Sequence, residues 1–204
     1  MEKLRLVRPE KKHEKQAMEY LEEFYADKSE THGVGGLERY RDDYDGWLEK
    51  LVADRVQVPN DERVPAETFF LMKRLPGEQE DAERLVGMIN IRLALNDSLW
   101  AYGGNIGYSI RPSERRKGYN KVNLYLALKV CQNHGIEAVL LDCDKDNIGS
   151  AKTMRALGGR LIRECPHKNW EDKDTIMQWY VIDVDAALEK YVDEYDQFVS
   201  EYPD

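Results

Sequence analysis

Residues 110–120 read Ile-Arg-Pro-Ser-Glu-Arg-Arg-Lys-Gly-Tyr-Asn. The stretch before them, 105–110 (Asn-Ile-Gly-Tyr-Ser-Ile), is short and ends at a proline, as a strand does. The stretch after them, 119–133, has the spacing of a helix and stops just before Gly135, a suitable end signal. That helix is apolar on two faces. Val122, Tyr125, Leu126 and Val130 form one, and Leu124, Ala127, Leu128 and Cys131 form the other, so it is expected to be covered on both sides. Between strand and helix stands a basic turn closed by Gly118. The first amides of a helix have no partner inside it, and its dipole adds positive character there. A glycine at the turn lets the backbone approach a bulky group without a Cβ. Arg115, Arg116 and Lys117 add charged donors. The combination reads as an anion cradle. The plainer alternative, a solvated basic loop capping a helix, does not by itself call for a strand in front and a double-faced helix behind.

Working outward, residues 4–7 alternate apolar and basic, as a half-buried strand would. Ala17, Tyr20, Leu21, Phe24 and Tyr25 fall at helical spacing. A glycine-rich break at 32–36 follows, and Leu37, Tyr40, Tyr44, Trp47, Leu48 and Leu51 mark a second amphipathic helix. Residues 55–67 carry Pro59 and Pro65 and read as loop. Strands are expected at 68–75 and 85–93, joined by a polar turn over 76–83, with a loop around 96–104. Beyond the central helix come a strand at 137–143, a helix at 150–157, and strands at 160–164 and 175–182. Leu188, Tyr191, Val192, Tyr195, Phe198, Val199 and Tyr202 then lay an apolar stripe on an acidic C-terminal helix. The order is α/β with a mixed sheet, one domain over 1–204, and a helical extension over about 184–202. The stripe suits either packing back onto the domain or a contact with a second copy, and the sequence leaves both open.

Composition narrows the partners. The chain has 204 residues and a formal net charge of −9, which argues against general binding of nucleic acid. Charge is unevenly placed: residues 111–121 hold five basic side chains and one Glu, a local +4 in an acidic protein. A small phosphorylated ligand fits that pattern. No stretch approaches the roughly 20 apolar residues of a membrane span, and no apolar signal core opens the chain. Cys131, Cys143 and Cys165 are odd in number and widely spaced, and His13, His32, His134 and His167 show no ligand spacing, so neither disulfides nor a metal site is expected. The expectation is a reduced, cytoplasmic protein.

These residues resemble the GNAT superfamily of acetyl-CoA-dependent N-acetyltransferases. The family signature is Arg or Gln, two residues, Gly, one residue, then Gly or Ala, after a strand ending in an apolar residue, any residue and Pro. Here Ile110, Arg111 and Pro112 match the strand end, and Arg115, Gly118 and Asn120 occupy the signature positions, Asn120 replacing the usual small residue. Asn147, Ser150, Gly158 and Gly159 match a second family element, with Gly159 in place of Phe. The stretches 104–120 and 140–154 look like a bacterial branch of GNAT-like proteins. The resemblance implies a mixed, mostly antiparallel central sheet flanked by helices, with a C-terminal amphipathic helix added. It implies acetyl-CoA held by a core over about 105–160: Ile110, Arg111, Arg115, Arg116, Lys117, Gly118, Tyr119, Asn120 and Asn147. The amide of Ile110 is the expected oxyanion donor.

For catalysis the resemblance gives less. Met154 stands where relatives often carry a Tyr as general acid, so a replacement would be sought among Tyr102, Tyr108, Tyr125 and Tyr180, each better read as core packing. Asp142 is the candidate base, with a structural carboxylate as the alternative, and Cys143 reads as inert. The acceptor, a small-molecule or peptide amine, would lie between the N-terminal helices, the 55–67 loop and the last strands, where Asp and Glu suit a cation. A non-catalytic acyl-CoA sensor or inactive relative is the rival reading. A nucleotide-binding interaction protein is a more distant one, and the chain lacks both the Gly-Lys-Ser/Thr phosphate loop and the Gly-x-Gly-x-x-Gly pattern.

Overall fold

The computed structural model describes residues 2–75, 82–169 and 172–203. Among the described residues eight strands and six α-helices follow in the order β1 (Leu4–Val7), α1 (Glu14–Asp27), α2 (Tyr44–Arg55), β2 (Ala66–Arg74), β3 (Glu83–Arg92), α3 (Asp97–Ala101), β4 (Ile106–Ile110), α4 (Tyr119–Asn133), β5 (Ala138–Asp144), α5 (Ile148–Ala156), β6 (Arg160–Lys168), β7 (Asp174–Asp183), α6 (Val184–Tyr195) and β8 (Val199–Glu201). The strands form two sheets, β4-β3-β2-β1-β8 and β5-β7-β6. Each pair is antiparallel except β1 with β8.

The two sheets meet at Asn105. Its amide donates to the Leu140 carbonyl at 2.7 Å, and its side-chain Oδ1 accepts from the Leu140 amide at 2.9 Å. Gly104 makes the approach feasible: its φ is +55°, and a Cβ there would lie 2.2 Å from the Leu140 oxygen. Past this point β4 and β5 belong to different sheets, leaving an opening between them.

Two apolar layers flank the sheets. Tyr20, Leu21, Phe24, Trp47 and Leu51 of α1 and α2 pack on Phe70, Met72 and Met88. On the other face α4 buries Val122, Leu124, Tyr125, Leu126, Ala127, Leu128, Val130 and Cys131. Its outer side is covered by α6, with the Tyr125 and Tyr195 rings 5.5 Å apart and the Tyr125 hydroxyl 2.5 Å from Asp196 Oδ1.

Several boundaries differ from expectation. The second helix is broken: Leu37–Tyr40 is a single 3-10 turn, and α2 starts at Tyr44 because Asp43 caps it, accepting from the Gly46 amide at 2.9 Å. Tyr25 is half exposed beneath the Arg41 guanidinium, 4.5 Å from its ring. The 96–104 loop contains α3, capped by Asn96, and β6 runs on to Lys168. The 76–83 turn lies mostly outside the described residues. The C-terminal helix stops at Tyr195, and the chain turns to lay β8 beside β1. An uncovered β1 edge would present unpaired backbone groups, and β8 satisfies them. Leu188, Tyr195 and Val199 are thereby buried in their own domain, so the apolar stripe packs back.

Candidate active site

The turn into α4 is built to leave amides available. Arg116 and Gly118 both take left-handed backbone, with φ of 63° and 85°. Gly118 is the N-cap of α4, and no side chain caps it. By contrast α2, α3, α5 and α6 are capped by Asp43, Asn96, Asn147 and Asp183. The first amides of the longest helix are therefore left without side-chain acceptors, a place suited to an anion.

The turn is anchored from beneath by Glu114, 2% exposed, whose carboxylate lies 3.2 Å from Lys73 Nζ, 2.8 Å from Lys117 Nζ and 3.4 Å from Arg84 Nη1. Burial pushes the Glu114 carboxyl up, but hydrogen bonds from Lys117 and Lys73 outweigh it and leave the group below its ordinary value. Tyr119 is buried, its hydroxyl 2.6 Å from Glu2 Oε2.

The basic residues divide into two sets. Arg111 is 5% exposed and committed inward, Nε lying 2.7 Å from Glu23 Oε2 and Nη1 donating to the Leu85 carbonyl at 3.2 Å. Arg115 donates to Ile110 O, Asp27 Oδ2 and Ser29 Oγ at 3.2, 2.8 and 2.8 Å. In this structure their guanidinium groups brace the turn against α1. Arg116 and Lys117 are exposed. Asn147 is likewise engaged, its Oδ1 accepting from the Ser150 amide at 3.0 Å to start α5. Asn120 Nδ2 reaches Thr153 Oγ1 at 3.4 Å, setting the start of α4 beside α5.

From the cradle the opening runs along β4. Arg111 donates its amide to Val86 O at 2.9 Å, and Ser109 pairs with Met88. Antiparallel strands alternate their bonding direction, so the amides of Tyr108 and Ile110 point away from β3 into the opening. That leaves the Ile110 amide unpaired with β3.

The period of two along β5 separates the two faces of the opening. Val139, Leu141 and Cys143 turn toward α4 and α5, while Asp142 and Asp144 turn the other way. On the α5 side, the Tyr108 hydroxyl is 2.8 Å from Ser150 Oγ. Tyr180 donates to Gln178 Oε1 and accepts from Arg155 Nη2, both at 2.8 Å. Met154 is fully buried in the core, and a Cβ on Gly159 would lie 2.6 Å from the Met154 carbonyl, so the backbone as it stands leaves no room for a side chain there. Burial pushes the Cys143 thiol up to about 11, so it carries almost no thiolate near neutrality.

On the opposite face the 32–36 loop lies against β4. A Cβ on Gly33 would be 2.0 Å from Gly107 O, and Ser109 Oγ donates to His32 O at 2.5 Å. Asp142 Oδ2 accepts from the Gly103 amide at 2.5 Å, and Arg92 Nη1 donates to the Gly103 carbonyl at 2.8 Å. Burial raises the Asp142 carboxyl above its ordinary value against the Gly103 bond and Arg92. Burial likewise raises Glu30, which lines a hollow of about 260 Å³ with Phe24, Tyr25 and Thr31. His167 pairs with Asp144, and Tyr102 lies 5.8 Å from the Trp179 ring. Of these residues, sequence reading singled out Asp142 and Tyr102 but gave no role to Arg92, Asp144 or His167. Tyr125 is remote from the opening, under α6. Among the described residues no group of three or more His, Cys, Asp or Glu could hold a metal ion, and no helix is long and apolar enough to cross a membrane.

Comparison with known proteins agrees with this architecture. No curated protein matches the chain. The microcin C7 self-immunity acetyltransferase MccE, solved with acetyl-CoA and AMP, superposes with a TM-score of 0.64 at 13% identity, covering 89% of this chain and 92% of that one. Mycobacterium smegmatis RimJ, in complex with CoA-disulfide, gives 0.64 at 14% identity over 92% and 87%. The putative acetyltransferase yncA from Salmonella typhimurium, with acetyl-CoA, gives 0.58 at 11% over 89% and 94%. At such identities these likenesses speak for the fold. The family model described as an acetyltransferase (GNAT) domain matches residues 3–160, and the chain belongs to the GNAT acetyltransferase family.

Proposed function

We propose that this protein is an acetyl-CoA-dependent N-acetyltransferase that transfers acetyl to a primary amine of a small-molecule or peptide acceptor by direct attack within a ternary complex. The observation that carries the reading is the uncapped, left-handed start of α4 at Gly118, set at the end of a strand whose free edge turns the Tyr108 and Ile110 amides into an opening. The main chain from Arg115 to Asn120 would take the pyrophosphate, with Arg116 and Lys117 adding charge. Similar structures solved with acetyl-CoA or CoA support the same ligand.

A lysine-like amine costs roughly 4–5 kcal/mol to deprotonate at pH 7. Holding amine and thioester in line contributes on the order of 7–11 kcal/mol, so alignment outweighs any one base. Asp142 is the proposed base. It stands on the face opposite the α5 side, and its raised carboxyl is a better proton acceptor than an ordinary aspartate. Asp144 and Glu30 on that face favour a cationic amine.

The test is Gly118→Val, measured by calorimetry with acetyl-CoA. Left-handed backbone costs an L-residue about 1–2 kcal/mol, and the added side chain stands where phosphate would approach. Affinity is expected to fall at least about tenfold, the equivalent of 1.4 kcal/mol. Retained affinity in a folded variant overturns the cradle. Thiol release across an amine panel separates transferase from sensor, since a sensor binds and never turns over.

A further inference from the structure

We propose that the hollow between the end of α1 and the Leu37–Tyr40 turn seats a second positive charge of the acceptor, so that the substrate is an aliphatic diamine or polyamine acetylated at one end. The inference deepens the acetyl-transfer reading above and rests on it. Phe24, Tyr25, Ser29, Glu30, Thr31 and Glu38 line a space of about 260 Å³. Whole small-molecule sites run to roughly 300–1,000 Å³, so this one suits an arm of a ligand. Its two rings offer methylene groups an apolar wall, and its two carboxylates repel the phosphates of CoA.

These carboxylates differ from their neighbours in pairing. On α1, Glu22, Glu23 and Asp27 face Arg41, Arg111 and Arg115. Glu38 accepts from the Thr31 hydroxyl, and Glu30 has His32 Nε2 at 3.7 Å. Among the described residues neither makes an ion pair with a Lys or an Arg. The hollow also adjoins the opening. His32 O accepts from Ser109 Oγ, and Gly33 abuts Gly107, so the loop is fixed to β4. Burial chiefly raises the Glu30 and Asp142 carboxyls, and the same two neighbours, His32 and Asp144, act on both, which sets residues 30–32 near the end of β5. An alkyl chain anchored in the hollow thereby brings its far amine to the face of Asp142. In the step, the lone pair of that amine forms the N–C bond, and the C–S bond breaks with its pair going to sulfur. The nitrogen loses one proton to Asp142 or water. The amine in the hollow keeps its proton throughout, because neighbouring carboxylates favour the charged form.

The test compares 1,5-diaminopentane with 5-amino-1-pentanol, which differ in one terminal charge. Calorimetry on the full chain loaded with CoA should show the diamine binding at least about tenfold more tightly, the scale of one charge-assisted hydrogen bond. Glu38→Gln keeps an acceptor for Thr31 and removes the charge, and it should cut that ratio to about threefold or less. Glu30→Gln, checked by thermal melting, replaces it should it fail to fold. A wild-type ratio near one, no measurable affinity for the diamine, or a ratio unchanged in the folded variants overturns the proposal. Turnover assays with acetyl-CoA separate it from the reading beneath it. Acetylation of both amines with equal kcat/KM defeats the subsite and leaves the transferase, whereas preferential diamine binding without acetylation of any amine defeats the transferase and leaves the subsite.

Discussion

Replacing Asn105 by Ala tests the point where the two sheets are tied. Asn105 is 5% exposed, and its side chain accepts from the Leu140 amide at 2.9 Å and donates to the Arg92 carbonyl at 3.1 Å. Truncation leaves a buried amide and a carbonyl without these partners, at about 1–3 kcal/mol for each buried group left unsatisfied. The Asn105 amide still donates to Leu140 at 2.7 Å, so one tie survives and the lower half of the range is expected, about 2–4 kcal/mol. For a chain of this size that lowers the melting midpoint by roughly 4–16 °C. Two measurements accompany the melt: hydrogen exchange at the Leu140 amide, which should quicken, and calorimetric acetyl-CoA affinity, which should weaken as the opening loses its fixed vertex. A midpoint within about 2 °C of wild type, where a single kcal/mol already moves it that far, refutes the clamp. A large fall with unchanged acetyl-CoA affinity refutes the link between clamp and opening.

Two further predictions concern the supports of the cradle. Glu114→Gln leaves Lys73, itself 7% exposed, with Glu2 at 4.0 Å as its remaining carboxylate, and should destabilise by about 3 kcal/mol at pH 7. Glu114 titrates below its ordinary value when folded, so its contribution is full above the unfolded value and is lost as pH falls through the folded one; denaturant midpoints of wild type and variant should converge only as pH falls below that folded value, and a gap constant with pH counts against the ion pair. Truncation after Asp185 removes Leu188, Tyr195 and Val199, each buried, at about 1.5–3 kcal/mol apiece, a loss comparable to the whole stability of a domain. Circular dichroism and light scattering should report unfolding or aggregation, and a folded product with the wild-type melt would show that the extension is dispensable.

What was legible in the sequence is what local pattern encodes. The α4 helix lies at Tyr119–Asn133 as its two apolar stripes and the Gly118 and Gly135 signals require, and the basic turn stands where a strand gives way to it. What was illegible depends on partners distant in the chain. The charge of Arg115 is visible in sequence, but its partner Asp27 is 88 residues away, and Arg111 pairs with Glu23 in the same helix. The basic island is therefore partly neutralised by α1 and by Glu114, and the available charge is narrower than +4 suggested. The break before α2 was missed because the periodicity of Leu37 to Leu51 survives a kink, whereas the Asp43 cap sets the true start. β8 was missed because residues 198–202 continue the apolar stripe; the unpaired edge of β1, invisible to any local window, decides their conformation.

The alternation along β5 bears on the route of transfer. Asp142 and Cys143 are neighbours in sequence, yet the pleat sends them to opposite sides of the opening. A route through an acyl-cysteine would need a thiolate with a base beside it. The Cys143 thiol instead sits on the α5 side, raised to about 11 by burial, with Ser150 beside it. The groups able to take a proton, Asp142 and the Asp144–His167 pair, face the other way. A thiol that burial pushes up to about 11, standing across the sheet from the carboxylates, is poorly placed to act as the nucleophile. On the transferase reading, amine and thioester approach from opposite faces and meet in the gap that Asn105 and Gly104 hold open, which makes direct attack the shorter chemistry for this fold.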